Sequence, residues 1–547
     1  MADWSEGYVT GIDYVHHYCR ELNPLWPRLA LLHRGLLPPP VGTACELGFG
    51  QGLGVTLHAA ASGVEWWGTD FNPNQALVAQ RLAAEAGARA HLFDQSFAEF
   101  AERPDLPDGF DFIGLHGIWS WISDRNRAVI VEFLRRRLKP GGILYLSYNT
   151  QPGWAALLPF RQYLLEHTTT LSPPGLDIGE RIGAALGFAA RLMALQPAYL
   201  QANPQVAERL QGMQTKDRHY LAGEYFNRDW QPMLFSELAR WLAPAKLEFA
   251  GSALYWNLLA PGYLPEAQRA FLAEIPDPTY RETTLDFLLN SQFRWDYWVK
   301  GGQRLGSEAR GAALRRERVV LIIPRAAVPL KLKFDSAEID LHPDVYGPLL
   351  DVLADYRPHT LDDLEGALAD RGLGLARVQE AVLMLAAADI LRPAQEERHI
   401  ETARARTERL NAHLLERARW SGEVDHLASP VVGGGIRVDR FGQLFLLAAG
   451  EGRRTAADWA AYAWQIMEGQ GQKVVKQGAT LPTPAENLAA LTQMAGEFVD
   501  QTLPVLRALG VATPPRPAPP PTGLDLALAS RFESPPGWGP WPTPGPG

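Results

Sequence analysis

Cysteine is nearly absent from this 547-residue chain: Cys19 and Cys45 are the only two, too few for a disulfide framework or a four-cysteine zinc site. The pair fits a reducing cytoplasm. Positive charge is short as well. With 52 Lys and Arg against 61 Asp and Glu, the net charge of -9 argues against a broad electrostatic grip on nucleic acid. The opening MADWSEGYVTGIDYVHHYC lacks the basic start and apolar run of a secretory signal, and no later stretch stays apolar long enough to cross a bilayer. The expectation is a soluble, unsecreted, cytoplasmic protein without membrane insertion.

What is present is an ordinary globular composition, 46% hydrophobic and 21% charged, enriched in proline (43) and tryptophan (17). The length predicts about two to four domains. The end, PPRPAPPP followed by SPPGWGPWPTPGPG, is too rich in Pro and Gly for helix or sheet, so 512–547 reads as a flexible tail. LPPP (Leu37 to Pro40) closes a helical, lid-like segment over 1–40 and hands the chain to VGTACELG, the first strand.

From there strands and helices alternate: TACELG, a helix from Gly52 to Ala61, EWWGTD, a helix from Asn74 to Ala86, ARAHLFD, FDFIGLHG, the helix DRNRAVIVEFLRRRL, a KPGG turn and ILYLSYN. Such alternation predicts a doubly wound α/β fold with parallel strands and ligands beyond their carboxyl ends. A helical insertion at about 151–241 follows, and KLEFAGSALY and QFRWDYWVKG complete the sheet as an antiparallel edge, giving seven strands by 302. In 303–395, VVLIIP, LKLKF, two amphipathic helices and a short strand ending in RP read as a winged-helix-like α+β module. Residues 396–511 read as a mainly helical domain, interrupted by a Gly-rich hairpin, VVGGGIRVDRFGQLFLLAA.

The central motif is ELGFGQG. Glu46 closes the first strand, and Gly48, Gly50 and Gly52 open a turn where the backbone can approach a ligand at a helix N-terminus. Asp70 ends the second strand, before Phe71, where a carboxylate can accept bonds from ribose hydroxyls. Asp94, before Gln95, ends the third, within reach of an adenine amino group. Three acids in this order fit a nucleoside. The dinucleotide pattern GxGxxG needs glycine at 53, where Leu53 stands.

With GTDFN, FDFIGLHGIWSWI and KPGGILYLSYNTQPGW, these motifs resemble class I S-adenosylmethionine-dependent methyltransferases that carry a methyltransferase regulatory domain, a group that includes bacterial protein-lysine methyltransferases acting on outer-membrane proteins. HYLAGEYFNRDWQPMLFSELARWL, FRWDYWVKGGQRL, SPVVGGGIRVDRFGQLFLLA and PAENLAAL extend the resemblance over most of the chain. It implies a Rossmann-like seven-stranded methyltransferase sheet, S-adenosyl-L-methionine as cofactor and a protein lysine amine as acceptor. The opening GIDYVHHYCRELNPLWPRLA departs from the YxSxPFxQxHP-like start of the lysine-modifying members.

Methyl transfer needs an acceptor lone pair aimed along the S–CH3 axis, so candidates lie past strands four and five. His116 is expected beside the amino-acid part of the cofactor. Tyr148, Glu224 and Tyr225 are catalytic candidates, Tyr148 as a strand-end phenol and GEY because the resembling proteins carry HEY there. Tyr14, Tyr18, Trp119, Trp121, Asn149 and Trp154 are acceptor-binding candidates, with packing the expected role of at least one of the two tryptophans. His16 and His17 are adjacent, face different ways on a helix and have no partner ligands at metal spacing, so no metal is expected. LRRRLK reads as a solvated helix end complementing the dipole.

The alternatives are a methyltransferase for a small molecule or glycan, and an S-adenosylmethionine-sensing regulator using the winged-helix-like module on DNA or protein. The second helix of that module is poor in basic residues, which disfavours DNA. A large accessory half favours a protein substrate, and assembly of a homodimer is the other use of such modules.

Overall fold

The crossover helices start and stop where the sequence supplies caps. Helix α3 (Pro73–Ala86; α1 is Trp26–His33 and α2 Leu53–Ala61) begins with the Asn72 side chain accepting from Asn74 N and Pro73 in the first turn, and ends at Gly87 with a left-handed φ of +59°. Ser123 caps helix Asp124–Arg137, whose last turn holds Arg135, Arg136 and Arg137. Arg135 and Arg136 pair with Glu132 on an exposed face.

These helices connect one sheet. In this computed structural model, which describes residues 16–173, 175–216, 218–334, 337–476 and 478–512, its strands are β1 (Thr43–Leu47), β2 (Glu65–Thr69), β3 (Ala90–Phe93), β4 (Phe110–Leu115), β5 (Leu138–Asn149), β6 (Leu247–Ser252) and β7 (Phe293–Lys300). Their order is β3-β2-β1-β4-β5-β7-β6. β1 to β5 run parallel, and β7 is antiparallel to β5 and to β6. The sheet is the expected one, with one local difference. KPGG lies inside β5, where Gly141 has φ +80° and the register against β4 shifts. The strand order reverses direction at β1 and β4, which places a crevice beyond their carboxyl ends.

The described residues form one compact unit. All nine residues of α2 are buried, because the sheet lies on one side of it and helix Glu397–Arg417 with the hairpin His426–Ser429/Gly434–Arg437 on the other. Its last carbonyls find partners in that C-terminal region: Gln395 Nε2 donates to Ala61 O at 2.8 Å and Arg406 Nη2 to Ser62 O at 2.7 Å. Arg318–Leu321, His359–Thr360 and Leu391–Pro393 form a three-stranded antiparallel sheet beside helices Leu361–Ala367 and Leu375–Ala387. The insertion (helices Leu158–Thr170 to Arg218–Tyr225) builds a separate apolar cluster around Leu164, Leu186, Leu210 and Leu221.

The Gly-rich hairpin is shorter than its sequence predicts. The run after it forms helix Arg440–Gly450, started by Asp439 accepting from Gly442 N and buried almost throughout. A continuous apolar run does not distinguish a strand from a buried helix by period, and here the Asp cap decides it. Among the described residues no helix is long and apolar enough to cross a membrane.

Candidate active site

A cavity opens at the carboxyl ends of β1, β2 and β4, and its lining includes Glu46, Gly48, Gly50, Gly52, Asp70, Phe71, Gln95, His116 and Trp121. β1 delivers Glu46 and the turn. Gly48, Gly50 and Gly52 have φ of +80°, +59° and +72°, conformations that side chains resist. Two of them are also dictated by packing, since a Cβ at Gly48 would overlap the Ile118 side chain and one at Gly52 the Cβ of Ala79. Asp70 ties the turn to β2: its Oδ2 accepts from Gly50 N at 2.9 Å and its Oδ1 from Asn72 N at 3.0 Å.

Burial shapes the acids here. It raises Asp70 to about 6, against the opposing Asn72 and Gly50 N–H groups. Burial, and next the nearby Asp70 charge, raises Glu46 to about 8. Glu46 Oε2 is buried without a hydrogen-bond partner. A buried oxygen of this kind calls for a donor. The α-ammonium of an amino acid would supply one, Asp70 at the end of β2 offers a carboxylate to a ribose, and Phe71, Gln95 and Phe97 line a stretch suited to a base. The residues fit S-adenosylmethionine.

Opposite the turn, the chain before α1 brings His17, Cys19 and Leu22 to the cavity. The His17 ring stacks on His116 at 5.4 Å, while His16 Nε2 lies 3.0 Å from Arg417 Nη2. His116 Nδ1 is 2.8 Å from Tyr145 Oη, and Gly117 N donates to Ser147 Oγ at 2.8 Å. Burial, and next His17, lowers His116 to about 4.

Several expected residues stand elsewhere. Tyr148 is fully buried, on the other face of the sheet from Tyr145 and Ser147, because side chains alternate along β5; it packs with Trp298 and Phe235. Asp94 is exposed and off the cavity lining, since the chain turns outward after Phe93 and presents Gln95, Ser96 and Phe97 instead. Trp119 is core, its Nε1 3.2 Å from Met233 Sδ, whereas Trp121 reaches the cavity. Trp121 stacks on Trp230 at 5.7 Å, Trp230 meets Trp154 edge-on at 5.2 Å, and Trp154 meets Tyr225 at 6.3 Å. Trp154 and Tyr225 are thus linked to the site through a file of rings, and neither they nor Glu224 line it. Asn149 is buried, its Oδ1 accepting from Trp230 Nε1 at 3.3 Å. Tyr18 is buried one residue away from the lining, against His58 and His426. Tyr14 and the tail lie outside the described residues. Asp229, missed by sequence reasoning, lines the cavity from the NRDW element of the regulatory-domain resemblance, where it was available as a signal.

Comparison with known proteins matches residues 44–142 to a methyltransferase domain and 217–300 to a predicted methyltransferase regulatory domain. The uncharacterized protein sll1526 of Synechocystis sp. is 37% identical over 514 residues, covering 93% of this chain and all of that protein. The chain belongs to this methyltransferase family. It is an S-adenosylmethionine-dependent enzyme. The uncharacterized protein RP789 of Rickettsia prowazekii is 24% identical, covering 54% of this chain and 52% of that protein. Among solved structures, PKMT2 from Rickettsia typhi in complex with AdoHcy has the same fold at 18% identity and TM-score 0.65, covering 91% of this chain and 99% of that one.

Proposed function

We propose that this methyltransferase acts in the cytoplasm on the side-chain amine of lysine in a protein acceptor. The observation that carries the reading is the extent of the shared architecture: the likeness to PKMT2 of Rickettsia typhi takes in the insertion and the C-terminal half as well as the sheet. The sequence motifs point the same way, resembling bacterial protein-lysine methyltransferases.

When bound, the cofactor supplies an electrophilic methyl group on a sulfonium. The chain's own residues hold and orient. The Gly48–Gly52 turn and Glu46 receive the amino-acid end and Asp70 the ribose, while His17, His116 and Trp121 give the acceptor end neutral and aromatic walls, suited to an uncharged amine beside a cationic centre. Radiolabelled S-adenosylmethionine, incubated with the full chain and a lysate and followed by acid hydrolysis, should yield labelled methyl-lysine. Label confined to small molecules or glycans would overturn the reading.

A further inference from the structure

One chain of polar side chains runs from the cavity wall into the segment before α1. It starts at His116 Nδ1, 2.8 Å from Tyr145 Oη; Tyr145 Oη is 3.5 Å from Cys19 Sγ; and Cys19 Sγ donates to Glu21 Oε2 at 3.3 Å. Glu21 Oε1 is ion-paired with Arg20 Nε at 2.8 Å. Tyr145, Cys19 and Glu21 are all buried. In so dry a place each hydrogen must point at an acceptor.

The far end fixes the direction of the rest. A carboxylate paired with an arginine only accepts, so the Cys19 hydrogen points at Glu21. A Tyr145 hydroxyl aimed at the sulfur lets the Tyr145 oxygen accept from His116 and makes all three contacts hydrogen bonds, whereas one aimed at Nδ1 would leave the sulfur with no donor. His116 therefore carries its hydrogen on Nδ1. Ser147 Oγ, which accepts from Gly117 N at 2.8 Å, lies 3.4 Å from the same nitrogen. Nε2 is left with its lone pair, on a residue that lines the cavity.

We infer that the Glu21–Cys19–Tyr145 relay holds His116 in the Nδ1–H form so that Nε2 accepts an N–H of the acceptor amine, making His116 a catalytic residue and the other three positioning residues. This rests on the amine reading above. A neutral amine has one lone pair, and methyl transfer needs it free. An Nε2–H would donate into that lone pair and quench it; a bare Nε2 takes an N–H instead and leaves the lone pair to the methyl. Because His116 is lowered to about 4, its ring stays neutral near pH 7 and orients the amine without storing its proton. The stacked His17 ring holds the imidazole plane from one face.

The test is 15N-histidine NMR on the full chain with S-adenosylhomocysteine bound, His116 being assigned through His116→Gln. Nδ1 should be the protonated nitrogen. In Tyr145→Phe the signal should move toward the Nε2–H form, and the rate of label transfer to lysate proteins should fall about tenfold or more, while S-adenosylhomocysteine affinity stays within about twofold. Glu21→Gln, which can donate as well as accept, should move the tautomer the same way in smaller measure. A wild-type His116 protonated at Nε2 overturns the relay even where methyl-lysine is the product. Label recovered on oxygen overturns the amine reading, and with it the place of the amine at His116, whatever the tautomer.

Discussion

The helical insertion and the C-terminal half both follow strands that build the site, yet they are attached in opposite ways. The insertion closes on its own apolar cluster, with Arg161 bonding the carbonyls of Tyr225 and Asn227 so that its two ends meet. The C-terminal half shares its clusters with the sheet. Leu53, Leu57 and Leu82 pack with Ile400, Leu410 and Leu427, and Trp26 and Trp66 belong to the cluster that holds Leu361 and Val382. A stretch that looks like an extra module in sequence is an addition only if it buries its own core.

Removal should therefore separate the two most sharply. Each large apolar side chain exposed by cutting after Gly302 costs about 1.5–3 kcal/mol, and the several on α1, α2 and α3 together reach the whole stability of a typical protein, about 5–15 kcal/mol. A 1–302 chain should be insoluble or unfolded by circular dichroism. Replacing residues 158–225 with a short Gly-Ser linker should instead leave a folded chain that binds S-adenosylhomocysteine with near-native calorimetric affinity. A soluble, cofactor-binding 1–302 fragment would break the comparison.

A single residue at the seam should act in the same sense with less force. A Cβ at Gly434 would overlap the Tyr18 hydroxyl and stand 3.0 Å from Asn23 Nδ2 and 3.2 Å from His58 Nδ1. Gly434→Val should cost about 1–3 kcal/mol through overpacking. It should also weaken cofactor binding severalfold, because Tyr18 lies between the lining residues His17 and Cys19. In the insertion, Leu186→Ala should cost about 2–5 kcal/mol locally and leave cofactor affinity alone. Thermal melts with calorimetry on both variants check this.

The sheet was legible because each of its elements carries local marks: ELGFGQG after an apolar run, Asn72-Pro73 opening α3, Gly87 ending it. The turn side of the cavity was legible for the same reason, since Glu46, the three glycines and Asp70 follow one another within two βα units. The wall facing the turn is assembled from distant segments, and no local pattern reveals His17 above His116. Tyr148 was an error of parity: a strand end offers two faces, and Tyr145 and Ser147 hold the one that meets His116. Asp94 missed by one residue, because the strand stops at Phe93 and the next side chain swings to solvent. The burial of α2 on both sides was invisible, since a helix buried by a segment hundreds of residues away reads like any apolar helix.

Titration of Glu46 gives a smaller effect that travels from the seam to the site. Its ordinary value of 4.5 is raised to about 8 in the fold by burial and then by Asp70, so the folded chain holds a proton that the unfolded chain releases. That contribution to stability is full below about pH 4.5 and is lost as pH rises through 8. A bound α-ammonium favours the ionised carboxylate, so cofactor binding near pH 7 should release a proton, and S-adenosylhomocysteine affinity should rise toward pH 8 by at most about tenfold per pH unit. Calorimetry in buffers of different ionisation enthalpy measures the proton directly, and Glu46→Gln should flatten the profile. The chain without the insertion should keep the wild-type profile. Gly434→Val, by loosening the cover of α2, should shift its midpoint down.

The mildest contrast comes from two arginines. Arg406 Nη2 donates to Ser62 O at 2.7 Å and Nε to Ala60 O at 3.3 Å, closing the end of α2 from the C-terminal half. Arg209 lies over the Trp154 ring at 4.2 Å and donates to Gln292 Oε1 at 3.0 Å, joining the insertion to the sheet edge in an exposed setting. Removing Arg406 leaves helix-end carbonyls short of a donor where little water reaches them, whereas removing Arg209 leaves groups that water can serve. Arg406→Ala should thus cost about 1–2 kcal/mol and lower the melting temperature by a few degrees, while Arg209→Ala should cost under about 0.5 kcal/mol. Gln395 still holds Ala61 O in the first variant, so α2 keeps its position and cofactor affinity should change less than about twofold in both. Equal losses from the two substitutions, in paired thermal melts, would mean that the insertion is bound to the sheet as firmly as the C-terminal half is.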